Sequence, residues 1–262
     1  MSLYSIYTKM PESIRKFFRK SHLADCWRAR IQRKCHKNAV KKVNWNVPVF
    51  YDEGILCRYI NREKYHSQFG QDFFLDRIVF NGKKSGFFID IGANHPEQLS
   101  NTLYFEDLGW HGMAFEPQAG LCALWKDRKT ECHNLALGDR EGELEFAEYE
   151  GDDGFGVLAG AASVLGKAAG KKYMVKQRRL GDVLKEAGVK TVDFISLDVE
   201  GYEMNVLLGI GFTEVDILCF LIENNKGKDG MSNMQIRKFM DENGYDFIGR
   251  IVIDDVFVKR TA

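Results

Sequence analysis

Four acids stand at the ends of short apolar runs: Asp90 in Phe87-Phe88-Ile89-Asp90-Ile91, Glu116 after Gly112-Met113-Ala114-Phe115, Asp198 after Val192 to Leu197, and Glu223 after Ile217 to Ile222. Runs this short and this apolar predict strands buried on both faces of a parallel sheet. In an open α/β sheet the carboxyl ends of such strands line one crevice, where ligands bind. Buried carboxylates need partners or a ligand, so the four together predict a site. Gly92-Ala93-Asn94 follows the first run. Gly92 predicts a sharp turn and close approach of a ligand to the backbone. Glu116 lies 26 residues after Asp90, where an acid accepts hydrogen bonds from both ribose hydroxyls of a nucleoside. The turn is Gly-x-Asn rather than G-x-G-x-x-G, which favours a nucleoside without a pyrophosphate. S-adenosylmethionine is the common one.

The predicted cofactor-binding set is Asp90, Gly92, Ala93, Asn94, Glu116, Pro117 and Asp139. Asp139 closes a predicted third strand, His133–Leu137, and is placed either to accept from an adenine amino group or to serve as a turn residue in Gly-Asp-Arg-Glu-Gly. Methyl transfer from a sulfonium requires a nucleophile held in line, and an alcohol must also lose a proton. Asp198, Glu200 and His95 are the candidate bases; His95, before Pro96, is alternatively a loop-shaping residue. A second arrangement uses Asp198, Glu223 and Asn224 as oxygen ligands for Mg²⁺. The dense cluster Tyr65-His66-Ser67-Gln68-Phe69-Gly70-Gln71-Asp72 is either a helix cap through Ser67 or Asp72 or a ligand-facing loop. The candidate substrate contacts are Gln68, Gln71, Asp72 and Glu223.

The elements that must position these groups alternate strand and helix. Helices are predicted after Ser100-Asn101-Thr102, over Gly120–Lys129, Leu180–Ala187 and Glu203–Leu208, and from Asn233 to Glu242. Tyr245–Ile251 and Asp255–Lys259 predict a closing hairpin at an antiparallel edge, and Gly151 to Gly170, rich in Gly and Ala, predicts a long binding loop or lid.

The formal charges cancel across the 262 residues, 37 of each sign, but residues 1–50 hold 12 Lys and Arg against 2 Asp and Glu, leaving 25 against 35 for the rest. The body therefore offers no case for nucleic acid. The basic arm, with Ile14, Phe17 and Phe18 on one helical face, reads either as a peripheral membrane contact through residues 1–42 or as a helix packed on the domain or on a second subunit of a homo-oligomer. Six cysteines without C-x-x-C or zinc-type spacing predict free thiols, and no apolar run approaches 18 residues, so the expectation is a cytoplasmic chain. The expected division is residues 1–60, a basic helical extension and connector, and residues 61–262, a catalytic domain.

Taken together, Ser67-Gln68-Phe69-Gly70-Gln71-Asp72, Phe88 to Pro96, Ser100-Asn101-Thr102, Gly109-Trp110-His111-Gly112, Phe115-Glu116-Pro117, Asp193 to Gly201 and Ile222-Glu223-Asn224 resemble the FkbM family of S-adenosylmethionine-dependent methyltransferases. The resemblance covers about residues 65–260. It implies a class I methyltransferase (Rossmann-like) fold: a doubly wound, mostly parallel seven-stranded sheet with an antiparallel edge strand. It also implies O-methylation of a sugar, glycan or other hydroxylated small molecule. A non-catalytic module docking through its basic arm is the alternative, disfavoured because all four strand-end acids are present. An NAD-dependent oxidoreductase lacks its third glycine and its Tyr-x-x-x-Lys pair.

Overall fold

The computed structural model describes residues 49–51, 64–150, 157–165, 171–224 and 234–260, all within the compact unit Asn46–Ala262. The predicted helical arm and its membrane contact, most of the connector, much of the Gly/Ala-rich segment and Asn225 lie outside the described residues. Among the described residues no helix is long and apolar enough to cross a membrane.

A short strand β1 (Val49–Tyr51) precedes helix α1 (Gln71–Phe74), which widens into a π-type turn over Leu75–Val79. There follow β2 (Phe87–Ile91), α2 (Leu103–Asp107), β3 (His111–Phe115), α3 (Ala119–Cys122), tightening to a 3₁₀ turn at Ala123–Asp127, and β4 (Glu131–His133). A second group comprises β5 (Ala136–Leu137), β6 (Gly142–Glu150), β7 (Val157–Ala161), α4 (Ala162–Leu165) and β8 (Lys172–Arg178). The chain then returns through α5 (Leu180–Glu186), β9 (Thr191–Leu197), α6 (Glu203–Leu208), β10 (Asp216–Glu223), α7 (Met234–Glu242), β11 (Tyr245–Ile251) and β12 (Asp254–Lys259).

The main sheet is mixed, in the order β1-β11-β12-β10-β9-β2-β3-β4: the seven strands of a methyltransferase-like fold, with β1 added at one edge. The pairs among β10, β9, β2, β3 and β4 are parallel, and β12 runs antiparallel to both its neighbours. The expected antiparallel edge is therefore corrected. The hairpin turns at Val252-Ile253 and carries β12 back between β10 and β11, into the sheet interior.

Two further expectations change. The third strand splits: β4 joins the main sheet, while β5 starts a separate four-stranded sheet, β5-β8-β6-β7. The segment read as a long loop contributes β7 and α4 to that second sheet. Strand β8 was not expected at all, although Val175 and Gln177 are buried between exposed Met174 and Lys176, the period of two that marks a half-buried strand.

Side chains alternate across the central strands. Ile89, Ile91, Ile195 and Leu197 enter one large apolar cluster with Val206, Leu207 and Phe220. Phe88 and Phe194 face the other way, their rings 5.8 Å apart, and Phe194 continues to Phe105 at 4.8 Å.

The register matters most for function. Ile91 pairs with Phe115 on β3 and with Leu197 on β9, and Leu197 pairs with Ile222 on β10. The next residues are Gly92, Glu116, Asp198 and Glu223, and Glu223 pairs with Asp254 on β12. Strand ends that are level in this way set five residues in one row across the sheet. With strands about 4.8 Å apart, Glu116 to Asp254 spans about 19 Å.

Candidate active site

That row forms the floor of a cavity of about 690 Å³, walled by the loop after β2, by the small sheet through Phe146 and Ala161, and by β12 through Asp254. Gly92 has φ +77°, and a Cβ there would lie 1.7 Å from the Asp198 carbonyl oxygen. Its small size is thus required by the backbone of the β9 end, whose Asp198 N–H bonds the Ile91 carbonyl at 3.0 Å. The expected approach of a ligand is not what excludes a side chain at this position.

Glu116 is 3% exposed. Its two oxygens accept from the Asn94 N–H at 2.9 Å and the Gln118 N–H at 2.8 Å. Burial raises its proton affinity, the two backbone donors oppose that, and the charge of Asp90 adds to it. Asp90 accepts from the Thr102 hydroxyl at 2.7 Å. Burial pushes its pKa up to about 6 against the pull of Thr102 and of the Arg128 charge.

Asp198 carries no side-chain hydrogen bond among the described residues. Its side chain is exposed to the cavity, although protein and acidic neighbours crowd the strand end around it. Its proton affinity is raised well above the ordinary carboxylate range, first by burial and then by Glu223, Glu200, Asp254 and Glu203. Glu200 lines the cavity in a left-handed conformation, φ 56°, an uncommon backbone for a non-glycine residue and one that concentrates at functional sites.

Asp254 was missed from the sequence because β12 was placed at an edge. It is 4% exposed and accepts from the Gln71 amide at 2.7 Å. Burial and neighbouring Glu223 and Asp255 raise its pKa to about 7, while Gln71 and Arg250 pull it down. Gln71 is fixed at its other end, its carbonyl oxygen accepting from the Phe69 N–H at 2.8 Å.

Of the sequence-predicted residues, Asp90, Gly92, Ala93, Asn94, His95, Glu116 and Pro117 line the cavity, as do Gln68, Gln71, Asp198, Glu200 and Glu223. Three do not. Asp72 is fully buried, accepting from the N–H groups of His66, Ser67 and Phe73 and from the Ser67 hydroxyl; it is the anchor of its loop. Asn224 follows Glu223 and so turns to the opposite side, donating to Asp255 at 2.8 Å. Asp139 lies outside the cavity wall, with one carboxylate oxygen buried and without a hydrogen-bond partner among the described residues. The Mg²⁺ arrangement therefore loses Asn224, and no cluster of three metal-ligating side chains occurs among the described residues.

His95 is present but differently disposed from a base. Its Nδ1 accepts the N–H groups of Glu97 at 3.2 Å and Gln98 at 3.1 Å. A neutral ring with Nδ1 accepting carries its proton on Nε2 and is a donor there.

Residues sequence reasoning did not single out include Ser196, Asn101 and an apolar end made by Phe115, Leu135 and Leu137. Asn101 donates to the Ser196 hydroxyl at 3.0 Å, and its carbonyl oxygen is buried without a partner.

No curated protein matches the chain. A profile of the methyltransferase FkbM domain matches residues 90–247, more than half of the sequence, including Asp90 and every row residue but Asp254. The chain belongs to the FkbM methyltransferase family.

Proposed function

We propose that the protein is an S-adenosylmethionine-dependent O-methyltransferase that acts on a hydroxyl of a sugar, glycan or other hydroxylated small molecule. The supporting observation is the row of strand ends: an anchored acid at Glu116, an unanchored acid at Asp198, and an anchored acid at Asp254 beyond it.

The donor set suits the cofactor. Each Glu116 oxygen is committed to one backbone N–H and keeps capacity for a ribose hydroxyl. Phe115, Leu135 and Leu137 offer an apolar slot for the base. When bound, S-adenosylmethionine supplies an electrophilic methyl group on a sulfonium.

The chain's own part is to hold an acceptor hydroxyl and take its proton. Asp198 sits mid-row, exposed to the cavity, and partial desolvation there together with the negative charge of Glu223, Glu200 and Asp254 makes it a stronger base than a carboxylate in water. Gln71, Glu223 and Asp254 are placed to orient a polyhydroxylated acceptor, and orientation is the main protein contribution to an in-line displacement. Magnesium has no role in this scheme, because the donor set does not converge.

Calorimetry with S-adenosylmethionine and S-adenosylhomocysteine tests the reading. Micromolar binding of both is expected, and folded protein that binds neither refutes it. A panel of methyl glycosides and free sugars, followed by mass spectrometry for a gain of one methylene, then tests the acceptor class.

A further inference from the structure

We propose that His95 binds the carboxylate of the cofactor's methionine moiety through Nε2–H, and that Trp125 and Arg128 position it to do so. This inference rests on the methyltransferase reading above.

The tautomer comes first. Nδ1 is committed to the Glu97 and Gln98 N–H groups, so the neutral ring has no lone pair left for a proton and one N–H left to donate. His95 lines the cavity, and with its Nδ1 edge turned to its own loop, the Nε2 edge is the one available to a ligand.

The loop is clamped on both sides of this residue. The carbonyl before it, Asn94, accepts from the Trp125 indole N–H at 2.8 Å. The carbonyl after it, Pro96, accepts from the Arg128 guanidinium. Arg128 lies over the Trp125 ring at 4.5 Å and bonds Glu106 at 2.9 Å. Glu106 is fixed in turn by the Thr130 N–H at 2.9 Å and by the Lys129 N–H at 3.1 Å. The Arg128 and Glu106 side chains are 6% and 5% exposed. Arg128 thus donates through Nε to Glu106 and through Nη1 to Pro96, while Nη2 is buried without a hydrogen-bond partner among the described residues; a buried guanidinium stacked on an indole and paired in this way holds backbone in place with little freedom.

Position selects the partner. His95 follows Asn94, whose N–H is bound to Glu116, the acid assigned to the ribose. Strand β2 lies beside β3 and three strand spacings from β12, about 14 Å. His95 therefore serves the cofactor end of the row and not the acceptor end at Asp254.

Chemistry selects the group. The described wall carries Asp90, Glu116, Asp198, Glu200, Glu223 and Asp254, and no Lys or Arg. These acids suit hydroxyls and an ammonium. The cofactor's own carboxylate needs a donor, and a tautomer-locked imidazole N–H is one.

The test uses the full chain and two ligands, S-adenosylhomocysteine and its decarboxylated analogue S-adenosyl-3-thiopropylamine, with dissociation constants from calorimetry and folding checked by thermal unfolding. His95→Asn keeps an acceptor near the Nδ1 position but has no donor at the Nε2 position. It should weaken S-adenosylhomocysteine about 10- to 100-fold while the analogue changes by about 2-fold or less. His95→Gln, with an amide N–H at the longer reach, should recover part of the loss. Trp125→Phe should show the same preference at about 2- to 10-fold, as a positioning residue would.

Equal weakening of both ligands by His95→Asn overturns the inference in favour of a loop-shaping role, and no weakening of either overturns it outright. If the unaltered protein binds neither ligand, the methyltransferase reading fails with it. If the unaltered protein binds both and the variants do not discriminate, only this inference fails.

Discussion

Replacing Asp254 by Asn should stabilise the protein at alkaline pH and leave it unchanged in acid. Burial and the neighbouring charges of Glu223 and Asp255 raise the Asp254 pKa from the ordinary 3.8 to about 7. The folded state therefore holds a proton that the unfolded chain has released by about pH 5. Folding takes up that proton, so stability falls as pH rises through the window from about 4 to about 7. Above it, the folded protein carries a charge its surroundings disfavour, at a cost of about 4 kcal/mol. Glu223 and Asp198 share the cavity and relax when one charge is removed, so a measured gain of about 2–4 kcal/mol is expected.

The substitution is close to isosteric. Asn keeps a carbonyl oxygen to accept from Gln71, now bonded at 2.7 Å, and its new N–H faces cavity water. For a domain of this size the gain corresponds to a rise in Tm of about 5–15 °C at pH 8. Thermal unfolding of the parent and variant at pH 4, 6 and 8 is the assay. Curves that coincide at pH 4 and diverge steadily to pH 8 support the reasoning. A constant offset at all three values, or a variant less stable at pH 8, refutes it, because the carboxylate would then be anchored as an ion.

Three further outcomes are expected. Gly92→Ala combines a positive φ with a Cβ 1.7 Å from the Asp198 carbonyl oxygen, so it should cost about 3 kcal/mol or more; a Tm within 2 °C of the parent (about half a kcal/mol) would show that the β9 end yields easily. Glu116→Ala should weaken S-adenosylhomocysteine by about 1–3 kcal/mol, with unchanged affinity in a folded variant placing the ribose elsewhere. Asp198→Asn should cut turnover by about 10²–10⁴-fold with cofactor affinity changed far less; near-normal turnover would remove Asp198 from proton transfer.

The strand-end acids and the Gly-Ala-Asn turn were legible because parallel strands that end level make neighbours of residues far apart in sequence. What escaped was set by pairing partners rather than by local pattern. Asp254 becomes a cavity residue only because β12 inserts between β10 and β11, and nothing local to Ile253-Asp254-Asp255 specifies that insertion. Asn224 fails as a ligand through parity: successive strand residues face opposite ways, so Glu223 and Asn224 do not share one site. Asp72 sits among promising polar residues, yet its carboxylate is consumed by its own loop. Strand β8 went unread because the alternation over Lys172 to Arg178 is one of burial in the folded sheet and is not carried by residue type, with polar Gln177 on the buried side and Met174 on the exposed side; the Gly/Ala-rich sequence before it obscured the strand β7 it joins through β6.

The distribution of hydrogen bonds over the carboxylates separates roles that sequence order cannot. Asp90 is tied by Thr102, Glu116 by two backbone N–H groups and Asp254 by Gln71. Each such donor pulls proton affinity down against the burial that raises it in all three, and each fixes a direction, which is what a group that recognises hydroxyls requires. Asp198 has a different environment: Glu223 is beside it on the row, Glu200, Asp254 and Glu203 add negative charge nearby, it carries no side-chain donor among the described residues, and its backbone is held by the Ile91 carbonyl. A fixed backbone with an unfixed carboxylate lets the proton affinity rise while the position along the row stays set. The same logic separates His95 from a base, since its one lone pair is already engaged. Within this cavity the acid without donors is the one suited to exchanging a proton, and the groups with donors are suited to holding what lies on either side of it.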